Sequence, residues 1–257
     1  MSVSLTQAYQ PWTRSLRLAH ATCARHLPAV HVDAIVIGAG PAGLATSREL
    51  ARRRIAHVVL ERGRAGESWR NCYDSLRLHT GKHLSKLPGR PFPRGTPLFP
   101  SRDDLVRYLE EYAQAFGLPV RDGAEVEAAA PANGGWRVRL SNGEEIEAKA
   151  VVVATGIMSN PYIPEIPGRD AFTGRVIHSI EYRNPEPYRG RRVLVVGVGN
   201  SGGEIASELG RAGVDVTIAI RSGANVVPLT IAGVPIQYLS WLIGRLPRSV
   251  REKIAAA

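Results

Sequence analysis

Six glycines, set at one spacing in two places, are the residues of this chain best suited to chemistry. Gly38-Ala39-Gly40-Pro41-Ala42-Gly43 and Gly197-Val198-Gly199-Asn200-Ser201-Gly202 both read G-x-G-x-x-G. In this pattern the first glycine turns the chain sharply out of a strand. The second lets backbone N–H groups reach a pyrophosphate with no Cβ in the way, and the third lets the next helix pack against the strand. The pyrophosphate then lies at the positive end of the helix dipole. With 26 glycines in the chain, a single match arises easily by chance. Here both matches lie between a strand-like and a helix-like run, which points to two dinucleotide sites.

One more residue at each site selects the dinucleotide. Glu61 stands 23 residues after Gly38, at the tip of the next strand. A carboxylate there accepts hydrogen bonds from ribose hydroxyls and repels a 2′-phosphate, which suits FAD or NAD. Arg221 stands 24 residues after Gly197, with Ser222 beside it. A guanidinium and a hydroxyl suit a 2′-phosphate, although Arg221 also reads as a solvated charge at a strand end. The pairing points to FAD at the first turn and NADPH at the second.

The elements that must carry these turns are readable around them. Asp33 opens the first ordered stretch, and Ala34-Ile35-Val36-Ile37 is a continuous apolar run of the kind buried on both faces of a parallel sheet. A helix is predicted from Leu44 to Arg54 and a strand over His57–Leu60, completing a βαβ unit. Residues 62–100, rich in Gly, Pro and Arg, read as a long loop region that is either functional or disordered. Ser101 with Asp104 reads as a helix start, and Leu105, Tyr108, Leu109 and Tyr112 as its core face. Val126, Trp136 to Leu140 and Glu145 to Ala148 predict an antiparallel hairpin about the Asn142-Gly143 turn. Val151-Val152-Val153-Ala154 predicts a separate buried strand running into Thr155-Gly156, and Pro161, Pro164 and Pro167 mark a linker. The second βαβ unit has strands over Val193–Val196 and Val216–Ile220, with a helix from Glu204 to Arg211 between them.

The fold class is therefore α/β with two Rossmann-like dinucleotide-binding domains. The expected boundaries are an N-terminal extension over 1–31, an FAD-binding domain over 32–160 and an NADPH-binding domain over 161–257. Residues 1–31 hold no acidic residue and carry Arg14, Arg17 and Arg25, but lack the apolar core and cleavage site of a targeting peptide.

Composition narrows the function. The 257 residues are 44% hydrophobic and 22% charged, as a globular chain requires. The net charge of +10, from 33 basic and 23 acidic residues, comes without a basic-aromatic module, so nucleic acid is not expected. No apolar run reaches the length of a membrane span, and a cytoplasmic location is expected. Cys23 and Cys72 are too few and too far apart for a disulfide scaffold, a C-x-x-C redox pair or a cysteine metal site. The apolar stretch from Ile236 to Ile243, with Tyr238, Leu239, Trp241 and Leu242, reads as core or interdomain packing in preference to a partner surface or a membrane-facing helix.

Several further motifs carry a family resemblance. They are Gly66-Glu67-Ser68-Trp69-Arg70, the segment from Tyr73 to Thr80 (YDSLRLHT), Leu87-Pro88, and Ala154-Thr155-Gly156. Phe172 to Tyr182 matches F-x-G-x-x-x-H-x-x-x-[YF] through Phe172, Gly174, His178 and Tyr182. Over residues 33–228 the chain resembles the flavin-containing monooxygenases, above all bacterial members and the plant indole-pyruvate monooxygenases called YUCCA. Tyr182, where Baeyer–Villiger relatives end the signature in Trp, argues against that branch.

The resemblance implies an FAD domain with an inserted NADPH domain. It assigns FAD contacts to Gly38, Gly40, Pro41, Ala42, Gly43, Glu61, Arg62, Ser68, Trp69, His79, Thr80, Val126, Thr155 and Gly156. It assigns NADPH contacts to Gly197, Gly199, Asn200, Ser201, Gly202, Arg221 and Ser222. His79 stands where many animal members carry an Asn facing the flavin. His178 is expected to brace the structure rather than act as a base, and no catalytic side chain is singled out. In the family NADPH reduces FAD, and a flavin C4a-hydroperoxide passes one oxygen atom to an amine, a sulfide or a carbonyl, so the partners are a small-molecule substrate and O2. A homodimer is an open option. The alternatives are an FAD-dependent NAD(P)H oxidoreductase or oxidase without hydroxylation, and a non-catalytic remnant. Family members return to the FAD domain after the NADPH domain. This sequence ends at Ala257 without that return, so a fragment or truncated product is expected, with apolar sheet surface left uncovered.

Overall fold

The computed structural model describes residues 30–223, 228–238 and 245. Residues 1–29 of the N-terminal extension, with Cys23, and residues 239–243 of the apolar stretch lie outside the described residues. In chain order the first elements are β1 (Val30–Ile37), α1 (Pro41–Arg52), β2 (His57–Leu60), α2 (Glu67–Arg70), α3 (Lys82–Ser85), α4 (Arg102–Ala115) and β3 (Val120–Arg121). They are followed by β4 (Val126–Ala132), β5 (Gly135–Leu140), β6 (Glu145–Val153), β7 (Arg192–Val196), α5 (Asn200–Arg211), β8 (Asp215–Ala219), β9 (Thr230–Ile231) and β10 (Val234–Pro235). The chain divides into two compact units, Met1–Trp69 with Val106–Ser159, and Arg70–Leu105 with Asn160–Ala257.

The first unit is built on a six-stranded sheet in the order β3-β2-β1-β6-β5-β4. Its β3, β2, β1 and β6 run parallel, while β5 and β4 add an antiparallel edge. The apolar run in β1 is fully buried at Ile35 and Val36, as a parallel strand covered on both faces requires. Leu60, Val138, Leu140 and Ile146 pack around Ile35 and Ile37 in the core. The face of α4 that carries Leu105, Tyr108, Leu109 and Tyr112 is buried as its spacing predicts.

Several boundaries differ from the sequence reading, among them the start of α5, at Asn200 rather than Glu204, and β8, which runs over Asp215–Ala219. β1 begins at Val30, because it pairs with β6 from Val30↔Ile146 onward. The hairpin strand and the buried strand after it are one continuous strand, β6. The polar Lys149 that suggests a break is exposed, and its ammonium pairs with Asp33 at 2.8 Å. α1 starts at Pro41 and ends at Arg52, with Arg53 as its cap and Arg54 in the left-handed region at φ 57°. Proline suits a first helical position, since the N–H it lacks has no intrahelical partner there.

In the second unit β7 and β8 pair in parallel, and α5 covers one face. Val193, Val195 and Val216 lie on that face with Ile205, Leu209 and Val214. On the opposite face Leu194 is 61% and Val196 65% exposed, so this face is bare among the described residues. The expected long loop contains α2 and α3. At its end Ser101 Oγ donates to Asp104 Oδ2 at 2.8 Å and accepts from the Asp104 N–H at 3.1 Å, the reciprocal cap its sequence predicts.

Candidate functional site

The two glycine turns have the same geometry. In the first, Gly38 follows β1 with φ +104° and donates its N–H to Leu60 O at 2.8 Å. In the second, Gly197 follows β7 with φ +96° and donates to Ala219 O at 2.9 Å. The third glycine is a packing requirement in both: a Cβ on Gly43 would stand 1.9 Å from Gly38 O, and one on Gly202 would stand 2.3 Å from Gly197 O.

The middle glycines are different. Gly40 and Gly199 are the N-caps of α1 and α5, with ordinary negative φ of −79° and −61°. A Cβ on either would meet nothing within 4 Å. Neither backbone nor packing within the chain requires glycine there. What glycine preserves is open space directly over a helix N-terminus, the space a diphosphate needs. The residues present therefore fit a dinucleotide at each turn.

Glu61, directly after β2, is 8% exposed. Its Oε2 accepts from Ala39 N–H at 2.7 Å and its Oε1 from Gly63 N–H at 3.0 Å. Each carboxylate oxygen can accept two hydrogen bonds, so each has capacity for one further donor. Arg62 is exposed, and Ser68 and Trp69 on α2 are half-buried. Val126 opens β4 and packs against the sheet core. Thr155 and Gly156 are exposed just past β6, Gly156 with φ +71°. In the second unit Asn200 and Ser201 form the first turn of α5, and Arg221 and Ser222 are exposed just past β8.

The rest of the motifs organise the second unit. In the long loop, His79 Nε2 bonds to Glu204 Oε1 on α5, and Thr80 follows it half-buried. Tyr73 Oη donates to the other oxygen of Glu204, and Tyr182 Oη donates to Glu208 Oε2 at 2.8 Å. Burial, then the hydrogen bonds to Glu204 and Glu208, push both phenols far above their ordinary range, so they remain donors at neutral pH. The rings of Tyr73 and Tyr182 are 6.3 Å apart. The His178 N–H donates to Glu181 Oε1 at 3.0 Å and its Nδ1 accepts from Ile180 N–H at 3.2 Å, so this histidine caps a 3-10 turn over Ser179–Glu181. Arg102 and Arg183 both donate to the Cys72 carbonyl at 2.9 Å. Burial pushes the Cys72 thiol up, which keeps it an inert thiol.

Sequence reasoning misses Glu204 and Glu208 as organising residues. Their signal is in the sequence: two carboxylates at i, i+4 on a helix whose neighbouring Ile205, Ala206 and Leu209 are all buried.

Comparison with known proteins agrees with this geometry. The family profile described as pyridine nucleotide-disulphide oxidoreductase matches residues 35–228. The indole-3-pyruvate monooxygenase YUCCA1 of Oryza sativa subsp. japonica is 43% identical over 218 residues, which cover 81% of this chain and 54% of that protein. A double mutant of the flavin monooxygenase from Stenotrophomonas maltophilia superposes with a TM-score of 0.77 at 30% identity, covering 84% of this chain and 64% of its own. The S-allyl-L-cysteine S-oxygenase from Allium sativum superposes with a TM-score of 0.68 at 30% identity, covering 81% of this chain and 55% of its own. The chain thus spans about half the length of the curated relatives it matches.

Proposed function

The chain belongs to the pyridine nucleotide-disulphide oxidoreductase family, and from that premise we propose that it is an NADPH-dependent flavin monooxygenase. Its substrate is a small organic nucleophile or carbonyl. The observation that carries the reading is the pair of open glycine caps, Gly40 and Gly199, each over a helix N-terminus and each followed by a strand whose tip differs in charge. The likeness to monooxygenases of plants and bacteria supports oxygen transfer over plain dehydrogenation.

When bound, FAD supplies two-electron chemistry with O2, and NADPH supplies the hydride. The chain's own work is to hold and orient both. The N–H groups at the start of α1 hold the FAD diphosphate, and the free lone pairs of Glu61 take the ribose hydroxyls. Trp69, Thr155 and Gly156 line the flavin side. The N–H groups of Asn200 and Ser201 hold the NADPH diphosphate at α5, and Arg221 with Ser222 takes the 2′-phosphate. The overall balance consumes substrate, O2, NADPH and one proton, and yields oxygenated substrate, water and NADP+. A cytoplasmic location fits a consumer of cellular NADPH.

The test is incubation with NADPH, FAD and 18O2 in the presence of indole-3-pyruvate or a small thioether, followed by mass spectrometry. Incorporation of one labelled oxygen per NADPH consumed is expected. NADPH consumption that yields only hydrogen peroxide with every acceptor would make the protein an oxidase instead.

A further inference from the structure

Glu204 is the fifth residue of α5, about 6 Å along the helix axis from the first. It is the first acidic residue of a helix whose opening turn has none. Both of its oxygens are engaged by side chains from a distant part of the chain, Tyr73 Oη on Oε2 and His79 Nε2 on Oε1. A carboxylate only accepts, so the hydrogen-bond pattern assigns a proton to His79 Nε2. The site is partly shielded from water: the side chains of His79 and Glu204 are 30% and 29% exposed, and Tyr73 is buried. The main chain of His79 is fixed as well, since Gln237 Nε2 donates to its carbonyl at 2.6 Å.

An uncompensated carboxylate at this depth would repel a diphosphate seated on the same helix end. We propose that His79 is a positioning residue for the second dinucleotide cradle. By donating to Glu204, with Tyr73 on the other oxygen, it keeps the carboxylate's lone pairs engaged beside the α5 N-terminus, weakens the negative potential they present there and fixes the carboxylate's orientation. The residue thus acts on the nicotinamide nucleotide through Glu204. This inference rests on the reading of the α5 turn as an NADPH site.

The test is calorimetric titration of the purified chain with NADP+ at low ionic strength, as a double-variant cycle. His79→Leu is expected to weaken NADP+ binding about tenfold, an effect that shrinks as salt is added. His79→Asn keeps an N–H donor and is expected to stay within about threefold of the unaltered protein. Glu204→Gln removes the charge and is expected to bind at least as tightly. The decisive variant is His79→Leu with Glu204→Gln, which is expected to return to within about threefold of Glu204→Gln alone. A double variant as weak as His79→Leu would overturn the inference, as would a His79→Leu variant that binds normally. If His79→Leu does not fold, Tyr73→Phe tests the same point: a weakening of a few fold that persists on the Glu204→Gln background overturns it. An unaltered protein with no affinity for NADP+ would overturn the functional reading and this inference with it, whereas NADP+ binding with an additive cycle would overturn the inference alone.

Discussion

The Ala39 amide donates to Glu61 Oε2 at 2.7 Å, which ties the first glycine turn to the tip of β2. Ala39 is fully buried, so without Glu61 its N–H has no partner in the turn. Glu61→Ala is expected to cost about 1–3 kcal/mol of stability and to weaken FAD at least tenfold, because brace and ribose acceptor are lost together. Chemical denaturation and flavin fluorescence titration check the two effects. Unchanged FAD affinity would remove Glu61 from the site.

The glycines of each turn separate stability from binding. Gly43→Ala places a Cβ 1.9 Å from a backbone oxygen, and Gly40→Ala places one in open space. Gly43→Ala is expected to destabilise by about 3 kcal/mol or more, lowering the Tm by roughly 6–12 °C. Gly40→Ala is expected to keep its Tm within a few degrees and to lose FAD affinity. Gly202→Ala and Gly199→Ala should divide the same way for NADP+. Thermal melts with paired ligand titrations decide it.

Arg221 and Ser222 lie exposed past β8, where a 2′-phosphate would distinguish NADPH from NADH. Arg221→Ala is expected to weaken NADP+ by about tenfold or more while changing NAD+ by less than about twofold. Equal losses for both nucleotides would show that the guanidinium does not read the phosphate.

Glu49 on α1 is held at about 2 by its hydrogen bond to Arg52, then by those to Arg48 and Arg53. A carboxyl depressed in the folded state stabilises above its unfolded value, and that contribution is lost as pH falls through about 2. Glu49→Gln is expected to lower the Tm at pH 7, by a small amount because the group is exposed to solvent. The gap between the two proteins should close as the pH is lowered from about 4.5 toward 2. Melts across that range measure it.

The turns are legible in the sequence because their constraints are local. A positive φ at Gly38 and Gly197 and the tight contacts at Gly43 and Gly202 each demand glycine within a few residues. The helix starts are less so, since Gly-Pro at Gly40-Pro41 and Gly-Asn at Gly199-Asn200 look like loop until a helix is built on them. β6 reads as two strands because Lys149 interrupts its apolar pattern, and only the pairing with β1 shows that the strand runs through. The work of the long loop is illegible for a different reason. Tyr73 and His79 meet Glu204 across 131 and 125 residues of sequence, and no periodicity reports contacts of that range.

The most direct measurement is the stoichiometry of cofactor binding by the purified chain, with FAD followed by its visible absorption and NADP+ by calorimetry on the FAD-saturated protein. Two independent cradles require one FAD and one NADP+ per chain, each bound without displacing the other. Displacement of FAD by NADP+ in a single shared site, or no binding of either at saturating concentration, would contradict the account.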